Sequence, residues 1–423
     1  MSKGDANPLG VSTKDFERDG LQTGRSAAGP PTRVDRWLQE RMAERFDASQ
    51  VRFALWDAPA DTGPESGPST VRFGDRGALF GLLTNPAANF GDLYSTGRIT
   101  VQGDLLAVLD EAYRNRHRHA RLPRTPSRFR LQTPNLSDSR ENIHHHYDIG
   151  NEFYRLWLDR EALQYTCAYY ADEAMSLEQA QQSKMHHVCR KLRLQPGEQV
   201  VEAGGGWGGF AMFMAKNYGA RVRSFNISRE QIAWSRHRAK AENLDGLVEF
   251  VEDDYRNISG RCDVFVSIGM LEHVGVGNYR ELGALIGRVL THEGRGLVHT
   301  IGRDSSQPLN PWIARRIFPG AYPPTLREMM EIFEPNELSV LDVENLRLHY
   351  ARTLEHWLER YEQNLEAVRS MFDESFVRAW RLYLAGSIKA FEHGSLQLFQ
   401  VVFARSGMNE IPRTREHMYP AGA

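Results

Sequence analysis

The sequence predicts an α/β fold, in which a doubly wound, mostly parallel sheet follows a small N-terminal α+β domain. In residues 199–211 an apolar run ends in a dense glycine turn, and apolar residues then resume at helical spacing, which is typical of a βα unit. Across residues 199–301 short apolar runs alternate with helical segments, as they do in a parallel sheet. Polar residues follow several of these runs, at the strand ends where open α/β sheets bind ligands.

The composition is that of a globular protein with more than one domain. The chain has 423 residues, of which 25% are charged and 41% hydrophobic, and its formal net charge is −2. This length predicts two domains, and the near-neutral charge argues against nucleic acid as a partner. The three cysteines, Cys167, Cys189 and Cys262, lie far apart, which predicts no disulfide framework and fits a reducing cytoplasm. No stretch reaches the roughly 18 apolar residues of a membrane span, so we expect any membrane contact to be peripheral.

The first 138 residues divide into three segments. Residues 1–31 are rich in Gly, Ser, Asp and Pro, and we expect a disordered tail there rather than a signal peptide. Residues 32–113 predict the small α+β domain. Its elements are a helix at 34–46, strands at 51–56 and 71–73, a short helix at 78–83 and a mixed segment at 90–109. Residues 114–138 are predicted to be a basic linker, because 114–130 hold seven arginines and two prolines; a solvated segment and a patch for anionic lipid headgroups are the two interpretations.

Residues 139–423 form the predicted second domain, which contains the parallel sheet. Ser228 precedes a segment with helical periodicity, as a helix N-cap does. The predicted helices are at 142–157, 176–192, 207–217, 228–242, 279–290, 325–333, 351–371 and 374–391. The predicted strands are at 199–203, 221–227, 247–252, 263–268, 296–301 and 396–404, and we expect the last of them to close the sheet.

The glycine turn after the first strand of this sheet predicts a ligand site. Gly204 and Gly206 let the backbone turn sharply and approach a ligand, and the following helix offers free N–H groups. A dinucleotide fold expects an acidic residue at the end of the second strand, where it binds the ribose. Here Asn226 lies at the end of that strand and Ser228 and Gln231 follow it, and their polar groups suit the ribose hydroxyls instead.

Two further polar clusters follow the next strands. The third strand leads to Asp254 and Tyr255, an acid and an aromatic ring that suit an adenine base. The fourth strand leads to Glu272 and His273. Because the carboxyl ends of parallel strands meet at one edge of a sheet, these clusters predict a single site.

Taken together, these segments resemble the cyclopropane-fatty-acyl-phospholipid synthases, whose superfamily includes the mycolic acid cyclopropane synthases and methyltransferases. Segments 200–209, 226–231, 252–255 and 267–275 look like the S-adenosylmethionine-binding motifs of that family. Further matches are His146-Tyr147-Asp148 and residues 164–169, 299–302, 317–320, 349–350 and 397–403. The resemblance covers residues 142–406 and implies a Rossmann-like class I methyltransferase fold with a seven-stranded sheet.

The resemblance also implies two sets of site residues. Those implied to hold S-adenosylmethionine are Tyr165, Thr166, Gly204, Gly206, Asn226, Gln231, Asp254 and Tyr255. Those implied to surround a bicarbonate ion acting as the base are Cys167, Glu272, His299, Ile301 and Tyr350. Considered alone, Glu272 is also typical of a helix start, His299 of a core histidine and Cys167 of a small buried residue. The histidines at 144–146 and 186–187 lack the spacing of a four-ligand site, so we predict no metal.

The implied activity is transfer of a methyl(ene) group from S-adenosylmethionine to the double bond of an unsaturated phospholipid acyl chain, forming a cyclopropane fatty acid. The enzyme would be cytoplasmic and peripherally associated with the membrane, and a homodimer is compatible with the sequence. The alternative is a fatty-acyl C-methyltransferase that gives a methylene- or methyl-branched chain or a methylated diene. A small-molecule N- or O-methyltransferase is more distant, because such a transfer does not need Glu272, His299 and Tyr350 together. A lipid-binding protein without activity is the alternative from another class.

Two positions depart from the pattern of the family. Ser387 stands where the family commonly has a second active-site cysteine, so thiol chemistry there is not essential and the product remains open between a ring and a branched chain. Gly205 stands where the family usually has a cysteine between the two glycines, which we interpret as a minor loss of packing volume.

Overall fold

The computed structural model describes residue 9 and residues 29–59, 67–119 and 149–419. Most of the predicted tail at 1–31, most of the predicted linker at 114–138 and the motif His146-Tyr147-Asp148 lie outside these described residues. The chain splits into two compact units. The first consists of the described residues up to 119 with Pro308–Pro319 and Trp357–His393; the second consists of the described residues from 149 to 307 with Gly320–His356 and those from 394 onwards.

The regular elements are numbered here in chain order. The helices are α1 (Arg33–Ala43), α2 (Arg76–Thr84), α3 (Pro86–Ser95), α4 (Leu105–His119), α5 (Asn151–Arg155), α6 (Leu177–Lys191), α7 (Gly209–Tyr218), α8 (Arg229–Ala241), α9 (Leu271–Val274), α10 (Tyr279–Val289), α11 (Pro311–Arg316), α12 (Leu326–Phe333), α13 (Arg347–Gln363), α14 (Leu365–Met371) and α15 (Glu374–Glu392). The strands are β1 (Val51–Ala54), β2 (Ser69–Phe73), β3 (Ile99–Gln102), β4 (Gln199–Ala203), β5 (Arg221–Asn226), β6 (Val248–Glu252), β7 (Cys262–Ile268), β8 (Leu290–Gly302), β9 (Leu338–Asn345) and β10 (Gln397–Arg405). Among the described residues, no helix is long and apolar enough to cross a membrane.

The first unit combines a small sheet with helices from distant parts of the chain. Its strands lie in the order β1-β2-β3, with β1 parallel to β2 and β3 antiparallel to it. Helix α3 contacts α11 so closely at Gly91 that an added Cβ would lie 2.2 Å from the Trp312 ring. Beside this contact the buried Asp92 carboxylate accepts hydrogen bonds from Arg315 and Arg316. The helix α4 continues to residue 119, so the first residues of the predicted extended linker are helical instead.

The second unit contains a seven-stranded sheet in the order β6-β5-β4-β7-β8-β10-β9. The strands from β6 to β8 are parallel to their neighbours, and β10 is antiparallel to both β8 and β9. The sheet is buried on both faces, because adjacent residues of β4 enter different apolar clusters: Val200 packs in one and Val201 in the other. The predicted α/β class, with its doubly wound and mostly parallel sheet, is confirmed.

Several boundaries predicted between residues 139 and 423 are wrong. The last predicted strand does not close the sheet, because β10 lies between β8 and β9. The edge strand β9 was not predicted, since most of its residues are only partly buried and its apolar positions do not form a continuous run. Within the described residues, the helix expected at 142–157 is reduced to the short α5. The helix expected at 351–371 begins at Arg347 and is divided in two at Asn364.

Candidate active site

The predicted site residues of the second unit lie at the carboxyl edge of the parallel strands. The glycine turn follows β4, Asn226 ends β5 and Asp254 follows β6. Glu272 follows β7 on the short helix α9, and His299 lies near the end of β8. Since the five strands are neighbours and parallel, their ends bring these residues to one edge of the sheet, where open α/β sheets bind ligands.

The glycine turn has the backbone that its sequence predicts. Gly204 and Gly206 have φ angles of +88° and +53°, which favour glycine. The amides of Gly204 and Gly205 donate hydrogen bonds to the Phe225 carbonyl of β5 at 2.9 and 3.2 Å, which fixes the turn against the next strand. A Cβ on Gly206 would meet no atom within 4 Å, so this residue borders open space.

Gly205 has a different role from the one its sequence position suggested. A Cβ at this position would lie 1.9 Å from Oγ of Ser224 and 2.9 Å from Oε2 of Glu202. The Ser224 hydroxyl donates to Glu202 at 2.5 Å, and both side chains are buried. The interpretation as a loss of packing volume is therefore wrong, because Ser224 and Glu202 fill the space that a side chain would take. The pKa of Glu202 is raised to about 7. Burial causes this increase, and the hydrogen bond from Ser224 opposes it in part.

Asn226, Ser228 and Gln231 form a hydrogen-bonded group at the end of β5. Asn226 Nδ2 donates to Gln231 Oε1 at 2.8 Å and to the Gly206 carbonyl at 3.1 Å. Ser228 is the N-cap of α8, and its hydroxyl accepts a hydrogen bond from the backbone N–H of Gln231. The hydroxyl of Ser228 is therefore used to cap the helix. Nε2 of Gln231 is buried and has no hydrogen-bond partner among the described residues. The hydrogen bond from Asn226 thus orients the Gln231 side chain beside the glycine turn. It leaves Nε2 of Gln231 available as a donor within the described part of the chain.

The acid and the aromatic residue after β6 are both buried, and both contact Arg256. The Asp254 carboxylate accepts from the Arg256 amide at 2.9 Å and from its guanidinium at 3.1 Å. The same guanidinium lies 4.8 Å from the centre of the Tyr255 ring, within the range of a cation–π contact. Burial raises the pKa of Tyr255, so its hydroxyl is neutral. Arg256 was not predicted, and it determines how both side chains are oriented.

Tyr165 and Thr166 come from an irregular segment before α6. The Tyr165 ring packs against Tyr154 and Trp157, with centroid distances of 5.4 and 5.2 Å. A Cβ on Gly269, directly after β7, would lie 3.0 Å from Cγ2 of Thr166, which places Thr166 at the end of that strand.

The segment that carries Thr166 is held by a buried lysine that the sequence did not indicate. Nζ of Lys184 donates to Oγ1 of Thr166 at 3.0 Å and to the side-chain oxygen of Gln164. The pKa of Lys184 is lowered to about 8. Burial causes this lowering, and the charge of the nearby Asp159 opposes it in part.

Glu272 and His299 form the polar centre of the site. Oε1 of Glu272 accepts a hydrogen bond from the Ile301 amide at 2.7 Å. His299 and Ile301 are two residues apart on β8, so their side chains share one face of the strand. Oε2 of Glu272 and Nε2 of His299 are both buried and have no hydrogen-bond partner in the part of the chain that the structure describes. Burial raises the pKa of Glu272 to about 7 and lowers that of His299 well below its ordinary value.

Cys167 and Tyr350 are connected to this centre through β10. Sγ of Cys167 donates to the carbonyls of Ala168 at 3.1 Å and Leu346 at 3.9 Å, and Tyr350 follows one helical turn after Leu346. The Leu346 amide donates to the carbonyl of Leu398, which is the cross-strand partner of Ile301. Burial raises the pKa of the Cys167 thiol, so this group is neutral and is not a thiolate nucleophile.

The side chains of Glu272 and His299 suit a small polar ligand. Two buried polar atoms without partners are costly unless a bound group satisfies them. Because burial raises the pKa of Glu272 to about 7, both the protonated carboxyl, which donates a hydrogen bond, and the carboxylate, which accepts a proton, are accessible near neutral pH. His299 is neutral and offers either a donor or an acceptor.

Comparison with known proteins identifies the family. The family model of mycolic acid cyclopropane synthetase matches residues 135–401. A probable fatty acid methyltransferase of Pseudomonas putida is 37% identical over 385 residues, which cover 87% of this chain and 96% of that protein. The cyclopropane-fatty-acyl-phospholipid synthase of Escherichia coli (strain K12) is 39% identical over 265 residues, covering 62% of this chain and 68% of that protein.

A solved structure supports the same assignment. The mycolic acid cyclopropane synthase CmaA1 complexed with SAH and CTAB superposes with a TM-score of 0.60 at 27% identity, over 65% of this chain and 99% of that chain. The resemblance inferred from the motifs is therefore confirmed, and this chain belongs to the mycolic acid cyclopropane synthetase family of S-adenosylmethionine-dependent methyltransferases.

Proposed function

We propose that this protein transfers a methyl(ene) group from S-adenosylmethionine to the double bond of an unsaturated phospholipid acyl chain and forms a cyclopropane fatty acid. The observation that carries the proposal is a pair of buried atoms without a hydrogen-bond partner among the described residues, Oε2 of Glu272 and Nε2 of His299, at the strand edge that also bears the glycine turn. Methyl transfer to nitrogen or oxygen releases an acidic proton that water can take, whereas ring closure removes a proton from the carbon of the new methyl group and needs a base held inside the site.

The residues around the glycine turn fit the methyl donor. Open space beside Gly206 and the free Nε2 donor of Gln231 suit a polar cofactor, and Asn226 orients Gln231 towards it. Tyr165, Thr166, Gly204, Asp254 and Tyr255 complete the proposed set. S-adenosylmethionine, when bound, supplies an electrophilic methyl group to an alkene, which is a feeble nucleophile.

The second proposed group, a bicarbonate ion, fits Glu272 and His299. When held there, it supplies a base small enough to lie beside an apolar chain. His299 Nε2 and the protonated form of Glu272 are suited to donate hydrogen bonds to an anion, and Ile301 fixes the carboxyl by its amide. We assign Cys167 and Tyr350 to the wall of the same site. Methyl transfer leaves a positive charge on the acyl chain. Because these groups are buried, the site excludes the water that would convert the cation to an alcohol.

A second function, a fatty-acyl C-methyltransferase with a methylene- or methyl-branched product, is favoured by one observation. The relative that is similar over 87% of this chain is named a probable fatty acid methyltransferase. Both products begin with the same methyl transfer, which leaves a cation on the acyl chain. Loss of a proton from the new methyl group closes the ring, whereas a hydride shift within the chain followed by loss of a proton gives the branched chain.

Because the proposed substrate is part of a membrane lipid, we propose that the enzyme acts at the cytoplasmic membrane surface. The basic residues 114–130 are a candidate contact with anionic headgroups, and the proposal is compatible with a homodimer.

Mass spectrometry of lipids tests the proposal directly. Purified protein is incubated with S-adenosylmethionine and vesicles of a monounsaturated phospholipid, and the acyl chains are then fragmented. We expect a product heavier by one CH2 whose fragments show a ring at the former double bond. A methylene or methyl branch would establish the second function, and an unchanged lipid, together with intact cofactor binding by calorimetry, would contradict both.

A further inference from the structure

His299 belongs to a row of polar side chains on three strands, in which His299 and Gln400 are buried and Glu344 is partly exposed. His299 on β8, Gln400 on β10 and Glu344 on β9 lie directly opposite one another across three neighbouring strands. Nε2 of Gln400 is 3.1 Å from Nδ1 of His299, and Oε1 of Gln400 accepts a hydrogen bond from Nζ of Lys191 at 2.8 Å. Gln400 and the Lys191 side chain are fully buried, so bulk water does not compete for these contacts.

Lys191 determines the orientation of the Gln400 amide. Oε2 of Glu344 lies 2.5 Å from Nζ of Lys191 and 2.8 Å from Nε2 of His187. Burial raises the pKa of Glu344, but the hydrogen bond from His187 and the charge of Lys191 bring it down to about 2, so the carboxylate is ionised beside Lys191. Burial lowers the pKa of Lys191, while the charge of the Glu344 carboxylate raises it. The protonated amine has donors only, and it must therefore face the amide oxygen of Gln400. The reversed amide would place its NH2 group against the ammonium, donor against donor.

The orientation of the amide in turn determines the tautomer of His299. The NH2 group of Gln400 donates, so Nδ1 of His299 accepts and carries no proton. The imidazole is neutral, because burial and the charges of Lys184 and Lys191 lower its pKa. A neutral imidazole carries one proton, which is therefore on Nε2, the atom that has no partner in the described part of the chain.

We infer that Lys191 and Gln400 are positioning residues, which hold His299 in the Nε2–H tautomer so that it donates a hydrogen bond to an anion beside Glu272. The inference concerns how the site holds its base, and in that respect it rests on the proposed function. In the other tautomer the Nε2 lone pair would face the anion and repel it. The arrangement resembles the way partners of active-site histidines fix the tautomer of the ring.

The tautomer is measured without any turnover. The full-length protein is labelled with ¹⁵N-histidine, and long-range ¹H–¹⁵N spectra at pH 8 distinguish Nδ1–H from Nε2–H. His299 is identified among the 15 histidines by the signal that disappears in His299→Gln. We expect the Nε2–H tautomer in the wild type. The Nδ1–H tautomer there would overturn the inference, and this measurement needs no variant at Gln400 to fold.

Three variants then separate positioning from packing. Gln400→Glu keeps the shape but turns the donor facing Nδ1 into an acceptor, so we expect the Nδ1–H tautomer or an imidazolium. Gln400→Met keeps the volume without either hydrogen bond, and Lys191→Met frees the amide to rotate, so both should give a tautomer mixture. Glu344 keeps its contact with His187 in Lys191→Met. A Gln400→Glu protein that retains the Nε2–H tautomer would overturn the inference.

Kinetics and binding complete the test. We expect kcat to fall about 100-fold in Gln400→Glu and less in Gln400→Met and Lys191→Met, while calorimetry shows S-adenosylmethionine affinity within about twofold of the wild type. If all three variants lose kcat only in proportion to their thermal stability, the residues pack and do not position. If the wild type makes no lipid product, the proposed function fails, but the spectra still decide the tautomer.

Discussion

Replacement of Glu272 by glutamine tests both the chemistry of the site and the physical origin of its acidity. Glu272 is buried, one of its oxygens has no hydrogen-bond partner within the described ranges, and burial raises its pKa from an ordinary value of 4.5 to about 7. Keeping this carboxyl ionised in the fold therefore costs about 3 kcal/mol relative to the unfolded chain. Glutamine has the same shape and donates a hydrogen bond, but it accepts no proton.

The sign of the effect on stability follows from proton binding. Between pH 4.5 and about 7 the folded protein keeps a proton on Glu272 that the unfolded chain has lost, so the wild type becomes less stable as the pH rises. Its contribution is most favourable below pH 4.5 and is lost as the pH passes through about 7. Glu272→Gln does not titrate at this position. Its free energy of unfolding, relative to that of the wild type, should therefore increase by up to about 3 kcal/mol between pH 5 and pH 8.

The assay compares urea denaturation of the two ligand-free proteins at several pH values and equal ionic strength. Glu202→Gln is the matched control, because burial also raises the pKa of Glu202 to about 7. We expect both variants to gain stability at high pH, and we expect Glu272→Gln to lose turnover by at least about 100-fold. Parallel pH curves for wild type and Glu272→Gln would refute the raised pKa, and unchanged turnover would remove Glu272 from the mechanism.

Three further predictions concern other parts of the chain. Gly205→Ala should lower the free energy of unfolding by about 1 to 3 kcal/mol, since its Cβ would lie 1.9 Å from the Ser224 hydroxyl, and a second change, Ser224→Ala, should recover part of that loss in urea denaturation. Ser387→Ala should keep turnover and alter stability by less than about 0.5 kcal/mol if the position only packs; a large loss of turnover would show a role in the reaction. If residues 114–130 contact lipid, sedimentation with anionic vesicles should weaken as salt rises, and salt-independent binding would contradict that contact.

The parallel part of the fold could be predicted because its strands carry their own signal. Strand β4 was predicted at its observed bounds, since a strand buried on both faces is a continuous apolar run and a glycine turn ends it. The antiparallel edge was not predictable in the same way. Strand β9 is only partly buried, so its sequence lacks such a run, and its pairing with β10 depends on residues more than fifty positions away.

The site was predictable where motifs follow strands, and not where one side chain depends on another from a distant element. Glu272 was predicted because it follows an apolar run that forms a central strand, whereas His299 was implied by the resemblance to the family. The contact of the Glu272 carboxyl with the Ile301 amide was not, because it requires the position of α9 relative to β8. Gly205 was misinterpreted for the same reason: its neighbour Ser224 comes from another strand, and no local pattern shows that the two compete for one space.

Gln400 is a residue whose contact with a distant element does leave a signal in the sequence. It is a single amide inside the apolar run 398–403, and a polar group on a strand buried on both faces requires a partner. The sequence therefore implies that a partner exists but does not identify it, because the partner is set by the strand order. With β10 at the end of the sheet, as the sequence suggested, Gln400 would have had a neighbouring strand on one side only. Between β8 and β9 it has His299 on one side and Glu344 on the other, and the buried Lys191 decides which end of the amide faces which.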